Sequence, residues 1–143
     1  MTSEPDALEV ATRALARRDF SERGLRERLR RAGVTEAGAE EALEALQLAG
    51  VIDDGRFAHA RAQALAERGK GDAAIRFDLD RQGVSNETAD DALASLEPER
   101  TRAERVVAQR GRDAATARLL TRRGFGDEAV EAVVARDHRA ELG

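Results

Sequence analysis

The sequence contains no cysteine, which removes a disulfide framework, a thiolate metal site and a thiol nucleophile together. Tryptophan and tyrosine are also absent and phenylalanine numbers four, so the aromatic platforms on which single-stranded bases stack are nearly missing. No apolar run approaches the roughly 20 residues that span a bilayer. Residues 1–6 are polar and acidic, unlike the basic start of a secretory leader. A cytoplasmic protein with no membrane partner is expected.

Proline occurs only at Pro5 and Pro98. Between them Ala, Leu, Arg and Glu dominate, all good helix formers, while sustained alternation and hairpin turns are lacking. The expected fold class is all-α. Hydrophobic residues make up 41%, but 29 of them are Ala and only 29 are Leu, Ile, Val or Phe, which predicts a thin core. Neither charge sign dominates, with 24 basic against 28 acidic residues and a net charge of -4, so self-repulsion does not hold the chain open.

What is present is a threefold internal repeat. Leu25…Leu29…Gly33-Val34, Ile75…Leu79…Gly83-Val84 and Thr116…Leu120…Gly124-Phe125 share one pattern. Each reads as a short helix stopped by Gly, which takes a left-handed conformation without steric cost, and followed by a hydrophobe that folds back on the last turn. Downstream, Ala39, Ala42 and Leu43 correspond to Ala89, Ala92 and Leu93, and to Val130, Val133 and Val134. These offsets define one face of a further helix, starting at Thr35-Glu36, Ser85-Asn86-Glu87 and Gly126-Asp127-Glu128 with a cap and an acidic first turn. Upstream, Ala14-Leu15, Ala64-Leu65 and Val106-Val107 end an earlier helix.

Three tandem three-helix repeats in an elongated arrangement follow: a flexible stretch at 1–6, then units at 7–52, 53–97 and 98–140. Pro98 suits the first turn of a helix. Units this small rarely hold a sufficient core alone, so each is expected to lean on its neighbours.

Most candidate chemistry has a plain structural reading. Asp53-Asp54 precedes a helix and suits its positive end better than it suits an acid/base pair. Gly69-Lys70-Gly71 lacks the spacing of a phosphate loop and its following Ser/Thr, leaving an interhelical turn whose Lys70 is still able to touch a polyanion. Ser21 reads as an N-cap, with Gly24 in place of the capping-box Glu. His59 and His138 lie in different units without a second ligand, so no metal, no cofactor and no catalytic residue is expected.

Charge distribution carries more. Arg23, Arg26, Arg28, Arg30 and Arg31 fall within nine positions, and Arg118, Arg122 and Arg123 make the third unit's second helix basic as well. Third helices are acidic, with Glu36, Glu40, Glu41 and Glu44, then Glu87, Asp90 and Asp91, then Asp127, Glu128 and Glu131. Helix-end preferences explain part of this, but they do not require so dense an arginine ridge. Partner contact is expected at Arg23, Arg26, Arg30, Lys70, Arg118, Arg122 and Arg123. From the residues alone two classes stay open: a helical protein-binding regulator, and a DNA-binding protein built on helix-turn-helix-like units.

Certain stretches together resemble the RecX family, bacterial regulators of the RecA recombinase. They are Ala14 to Ser21 with Leu25, Leu29 and Gly33-Val34; Gly50-Val51-Ile52-Asp53-Asp54-Gly55-Arg56-Phe57-Ala58; Gly69-Lys70-Gly71 with Ile75, Leu79 and Gly83-Val84; and Arg122-Arg123-Gly124-Phe125. The resemblance covers about Ala7 to Val134. Family members often carry an aromatic where Ile52 stands, a Glu where Gly24 stands, and a more basic balance. The resemblance implies a monomeric modular protein that binds RecA and the groove of the RecA-DNA filament and lowers ATPase, strand-exchange and co-protease activity. The acidic balance of this chain makes direct DNA binding weak in that expectation.

Overall fold

The computed structural model describes residues 5–142, with side-chain surroundings through residue 134. Every regular element among the described residues is a helix: α1 (Ala7–Arg17), α2 (Glu22–Arg31), α3 (Glu36–Leu48), α4 (Asp54–Glu67), α5 (Asp72–Arg81), α6 (Asn86–Ala94), α7 (Glu99–Arg110), α8 (Ala114–Arg122) and α9 (Asp127–Leu142). Capping decides where most of them start. Ser21, Thr35, Asp53, Ser85 and Asp113 each accept a backbone N–H from three residues on, satisfying a donor that has no partner within its helix.

The glycine stops recur in one geometry. Gly33, Gly83 and Gly124 have φ of 88°, 81° and 91°. The next residue then turns its N–H back onto the helix, Val34 to the Leu29 carbonyl at 3.0 Å, Val84 to Leu79 at 3.1 Å and Phe125 to Leu120 at 3.0 Å. This is the Schellman arrangement, in which the hydrophobe after the glycine covers the last turn; Val34, Val84 and Phe125 are all buried.

Apolar burial falls into three clusters, one for each successive trio of helices. Leu25, Leu29 and Leu43 anchor the first, Ile75 and Leu79 the second, and Leu120 and Val133 the third. Extensive helix packing likewise lies within the trios α1–α3, α4–α6 and α7–α9. The accessible surface is 9333 Å², against about 7200 Å² for a compact protein of this mass. The repeats are thus strung out rather than folded around one shared core.

Polar contacts at the helix ends join the trios, and they repeat. Asp54, the first residue of α4, accepts the N–H of Glu22, the first residue of α2, at 2.8 Å. Glu99, the first residue of α7, accepts the N–H of Asp72, the first residue of α5, at 2.6 Å. Each carboxylate satisfies an orphan donor of the preceding trio at the positive end of a helix. The caps pair in the same sense. The Ser21 hydroxyl donates to the Gln82 carbonyl at 2.5 Å, and the Gly71 N–H donates to the Arg123 carbonyl at 2.8 Å. The start of α2 therefore abuts the end of α5, and the start of α5 abuts the end of α8.

Gly71 shows how close the second joint is: a Cβ there would lie 2.3 Å from the Phe125 nitrogen, so no larger residue fits without parting the trios. Pro98 is displaced from its expected place. It is the N-cap, with ψ of 141°, and Glu99 opens the helix. The extended ψ keeps Pro98 outside the first turn, where its missing N–H leaves nothing unpaired.

Candidate partner-binding surface

Leu25 and Leu29 are fully buried, and their spacing sends the arginines of α2 to its outer faces. Arg26 does not stand free there. Its Nη1 donates to Glu40 Oε2 at 2.6 Å and its Nη2 to Glu22 Oε1 at 3.4 Å. These carboxylates raise its pKa, the hydrogen bond to Glu40 foremost. Arg76 and Asp90, each fifty residues on, form the same ion pair between α5 and α6. The recurrence marks the pair as a brace between the second and third helices of a repeat. Unit 3 has Ala117 and Glu131 at these positions and so lacks it. Arg30 is likewise held, with Nη2 and Nε on Glu36 Oε1 at 2.8 and 3.2 Å and Nη1 on Glu27 at 3.2 Å; the hydrogen bond to Glu36 is the main cause raising its pKa.

The remaining expected residues fall at different places. Arg23 is exposed and its stem lies across Gly83, where a Cβ would sit 2.2 Å from the Arg23 Cδ; it belongs to the first joint. Arg118 and Arg122 are exposed on α8 and form no ion pair among the described residues. Counted back from the glycine stop they occupy the places of Glu27 and Arg31, one step round the helix from Arg26 and Arg30. Arg118 still acts on Asp113, whose pKa is lowered chiefly by the Thr116 backbone N–H and also by this cation. Lys70 and Arg123 come to the same joint: Arg123 lies against Gly69, and the Lys70 carbonyl accepts from Arg102 at 3.0 Å.

Arg102 itself is a feature the sequence did not disclose. It is 7% exposed, and a buried cation requires partners for its donors. It has them: the Glu97 carbonyl on Nε at 3.0 Å, the Lys70 carbonyl on Nη1 and the Asp72 carboxylate on Nη2. Two of these partners belong to the second trio's α4–α5 turn and α5, so Arg102 rivets α7 to it.

Other arginines, all but Arg123 outside the expected set, line three clefts. One of about 410 Å³ on the first trio holds Arg17, Arg18 and Arg28. A second of about 260 Å³, between α1 and α4, shares Arg18 and adds Arg68. The third, of about 390 Å³ at the second joint, shares Arg68 and adds Arg110 and Arg123. Repeat alignment holds the signal that finds them, since Arg18, Arg68 and Arg110 each lie four residues beyond the paired hydrophobes' first member at Ala14, Ala64 and Val106.

Asp53 caps α4 through the Arg56 N–H at 3.0 Å, as read from the sequence, whereas Asp54 serves the neighbouring trio. The His59 ring is half-buried and places Nδ1 2.8 Å from the Gly55 carbonyl; the His138 side chain lies outside the described residues. Among the described residues no group of His, Cys, Asp or Glu is placed to hold a metal ion, and no helix is long and apolar enough to cross a membrane.

Three comparisons bear on this architecture. Residues 53–93 match the family model described as RecX, second three-helix domain. A regulatory protein RecX from Syntrophotalea carbinolica is 43% identical over 63 residues, 44% of this chain and 41% of that protein. The crystal structure of RecX from Lactobacillus salivarius superposes with a TM-score of 0.77 at 18% identity, over 91% of this chain and 93% of that one. A second crystal structure, of regulatory protein RecX, gives 0.74 at 21% identity, over 90% and 72%. The two structures establish the fold, three helical repeats in tandem.

Proposed function

We propose that this chain, which belongs to the RecX family, binds RecA and RecA-DNA filaments and mostly inhibits recombinase, ATPase and co-protease activity. The observation that carries this reading is the repeated joint. Asp54 on Glu22 and Glu99 on Asp72 set successive trios in the same end-to-end relation, giving a long array suited to a partner that is itself periodic. Weak contacts made by linked modules reinforce one another through effective concentration.

Within the proposal, the units 7–52, 53–97 and 98–140 are the modules, and Arg23, Arg26, Arg30, Lys70, Arg118, Arg122 and Arg123 supply partner contacts. Arg118 and Arg122 are the readiest of these, because Arg26 and Arg30 first have to release Glu40 and Glu36. The same reading makes the protein a cytoplasmic monomer without catalysis of its own, so that any effect on ATP turnover is a change in RecA's rate. Co-sedimentation with nucleotide-bound RecA-DNA filaments tests it: the chain is expected to pellet with filaments and to slow strand exchange. Absence of both effects would refute the reading.

A further inference from the structure

The second helices of the repeats form a series of their own. Ser21, the N-cap of α2, donates to the carbonyl of Gln82, the C-cap of α5. Gly71, the N-cap of α5, donates to the carbonyl of Arg123, the C-cap of α8. α8, α5 and α2 therefore follow one another, end to start, through both joints. Their outer faces are in register. Six residues before each glycine stop stand Glu27, Phe77 and Arg118, and two before it stand Arg31, Arg81 and Arg122. Glu27, Phe77 and Arg118 lie two residues beyond the buried Leu25, Ile75 and Thr116, about 200° round the helix, and so face away from the core of each trio. All six are exposed.

At the middle of this series α5 carries a phenylalanine where the flanking repeats carry charge. Phe77 is 64% exposed, whereas Phe20, Phe57 and Phe125 are buried. Arg81, one turn on, holds its guanidinium 5.9 Å from the centre of the Phe77 ring. Arg31, Arg81, Arg118 and Arg122 form no ion pair among the described residues. Acids are few beside them: Glu27 pairs with Arg30, α8 contains none, and on α5 Asp80 is the exposed one. The outer face thus offers one apolar ring between unpaired guanidinium groups. Aromatic residues and Arg are the types enriched at the centres of protein interfaces, where they carry most of the binding energy. A row of phosphates would match the guanidinium groups but give the ring nothing to bury against. A membrane surface would call for a whole apolar helix face, yet Leu8, Leu48 and Val51, the other exposed large hydrophobes, belong to the first trio. A protein surface with an apolar recess rimmed by carboxylates satisfies ring and cations together.

We propose that Phe77 is the central anchor by which this chain docks on a partner protein, its ring entering an apolar recess while Arg31, Arg81 and Arg122 pair with carboxylates around it. The inference rests on the family reading for the identity of that partner, a RecA subunit of the filament, and adds which face of the chain meets protein.

The test is fluorescence anisotropy of the labelled full chain titrated with nucleotide-bound RecA-DNA filaments at low and high salt. Phe77→Ala should keep the wild-type melting midpoint, because the ring lies outside the core, and should bind at least about tenfold more weakly, as an interface anchor does. Phe77→Glu supplies the residue that the first repeat carries at this place, so the helix accommodates it, and should lose at least as much. Phe77→Leu, which restores an apolar side chain, should recover most of the affinity, and Leu48→Ala, on exposed apolar surface elsewhere, should bind as wild type. The loss in Phe77→Ala should be the same at both salt concentrations, since apolar burial is not screened, whereas the loss in Arg81→Gln should shrink at high salt. Wild type that binds filaments no better than Phe77→Ala does would overturn the anchor and leave the family reading standing. Loss in Arg81→Gln without loss in Phe77→Ala would assign the face to phosphates, and a wild-type dimer abolished by Phe77→Ala would assign it to a second copy of the chain; either overturns the proposal. Wild type that does not bind filaments at all would refute the family reading and this inference with it.

Discussion

Glu99 accepts the N–H of Asp72 on one carboxylate oxygen at 2.6 Å and that of Gly126 on the other at 2.9 Å. One side chain thus closes the start of α5 in one trio and the approach to α9 in the next. Glu99→Ala frees both donors. The expected cost is about 1–2 kcal/mol, the size of a lost cap, read as a lower urea midpoint. Asp54→Ala, at the equivalent place in the first joint, should lose less because it holds one donor only. An unchanged midpoint for Glu99→Ala would show that water replaces the clamp at no cost.

Arg102 supplies the second prediction. Truncating it to Met keeps part of the apolar stem but leaves the Lys70 and Glu97 carbonyls without their donor. Buried acceptors left unsatisfied cost about 1–3 kcal/mol, and the Asp72 carboxylate loses its cation as well. Arg102→Met should therefore lower stability by about 2–4 kcal/mol, measured by denaturant unfolding. Arg105→Met, whose ion pair with Glu97 lies on the exposed surface, should lower it by less than about 1 kcal/mol.

Gly71 separates packing from backbone strain. Its φ is -86°, open to any residue, so the whole penalty of Gly71→Ala comes from the approach of Phe125 and Gly124 in the next trio. The joint has to open. Protease sensitivity is expected to rise between residues 94 and 99, with little loss of helix signal in circular dichroism. Resistance equal to wild type would place the contact elsewhere.

Asp113 gives a pH prediction. Its carboxyl is held below the ordinary range, first by the Thr116 backbone N–H and with a smaller contribution from Arg118. A depressed folded-state pKa adds stability that is present above the unfolded value, near about 3.9, and is lost as pH falls through the folded value. Asp113→Asn keeps a capping oxygen but cannot titrate. Wild type should be the more stable at neutral pH, and the difference should vanish in strong acid. A gap independent of pH would assign the effect to capping geometry alone.

Local signals made the helices legible. Gly33, Gly83 and Gly124 announced left-handed stops, Ser21 and Asp53 announced caps, and Leu25, Leu29 and Leu79 the buried stripes; each acts within a few residues of itself. The joints were not legible in that way, because Glu99 reaches Asp72 and Gly126 across 27 residues in opposite directions. Nor was the fate of the arginine ridge. Whether Arg26 faces a partner or Glu40 depends on how α2 lies against α3, which charge counting along one helix does not reveal. Arg18, Arg68 and Arg110 stood in register in the repeat, but that they line clefts shows only in the packed structure.

The most direct measurement is co-sedimentation of the full chain with nucleotide-bound RecA-DNA filaments, with wild type beside Arg118→Glu, Arg122→Glu. Wild type is predicted to pellet with the filaments and to lower RecA's ATP turnover, and the double variant, still helical by circular dichroism, to pellet poorly. A wild-type chain that stays in the supernatant and leaves RecA's rate unchanged would contradict the account.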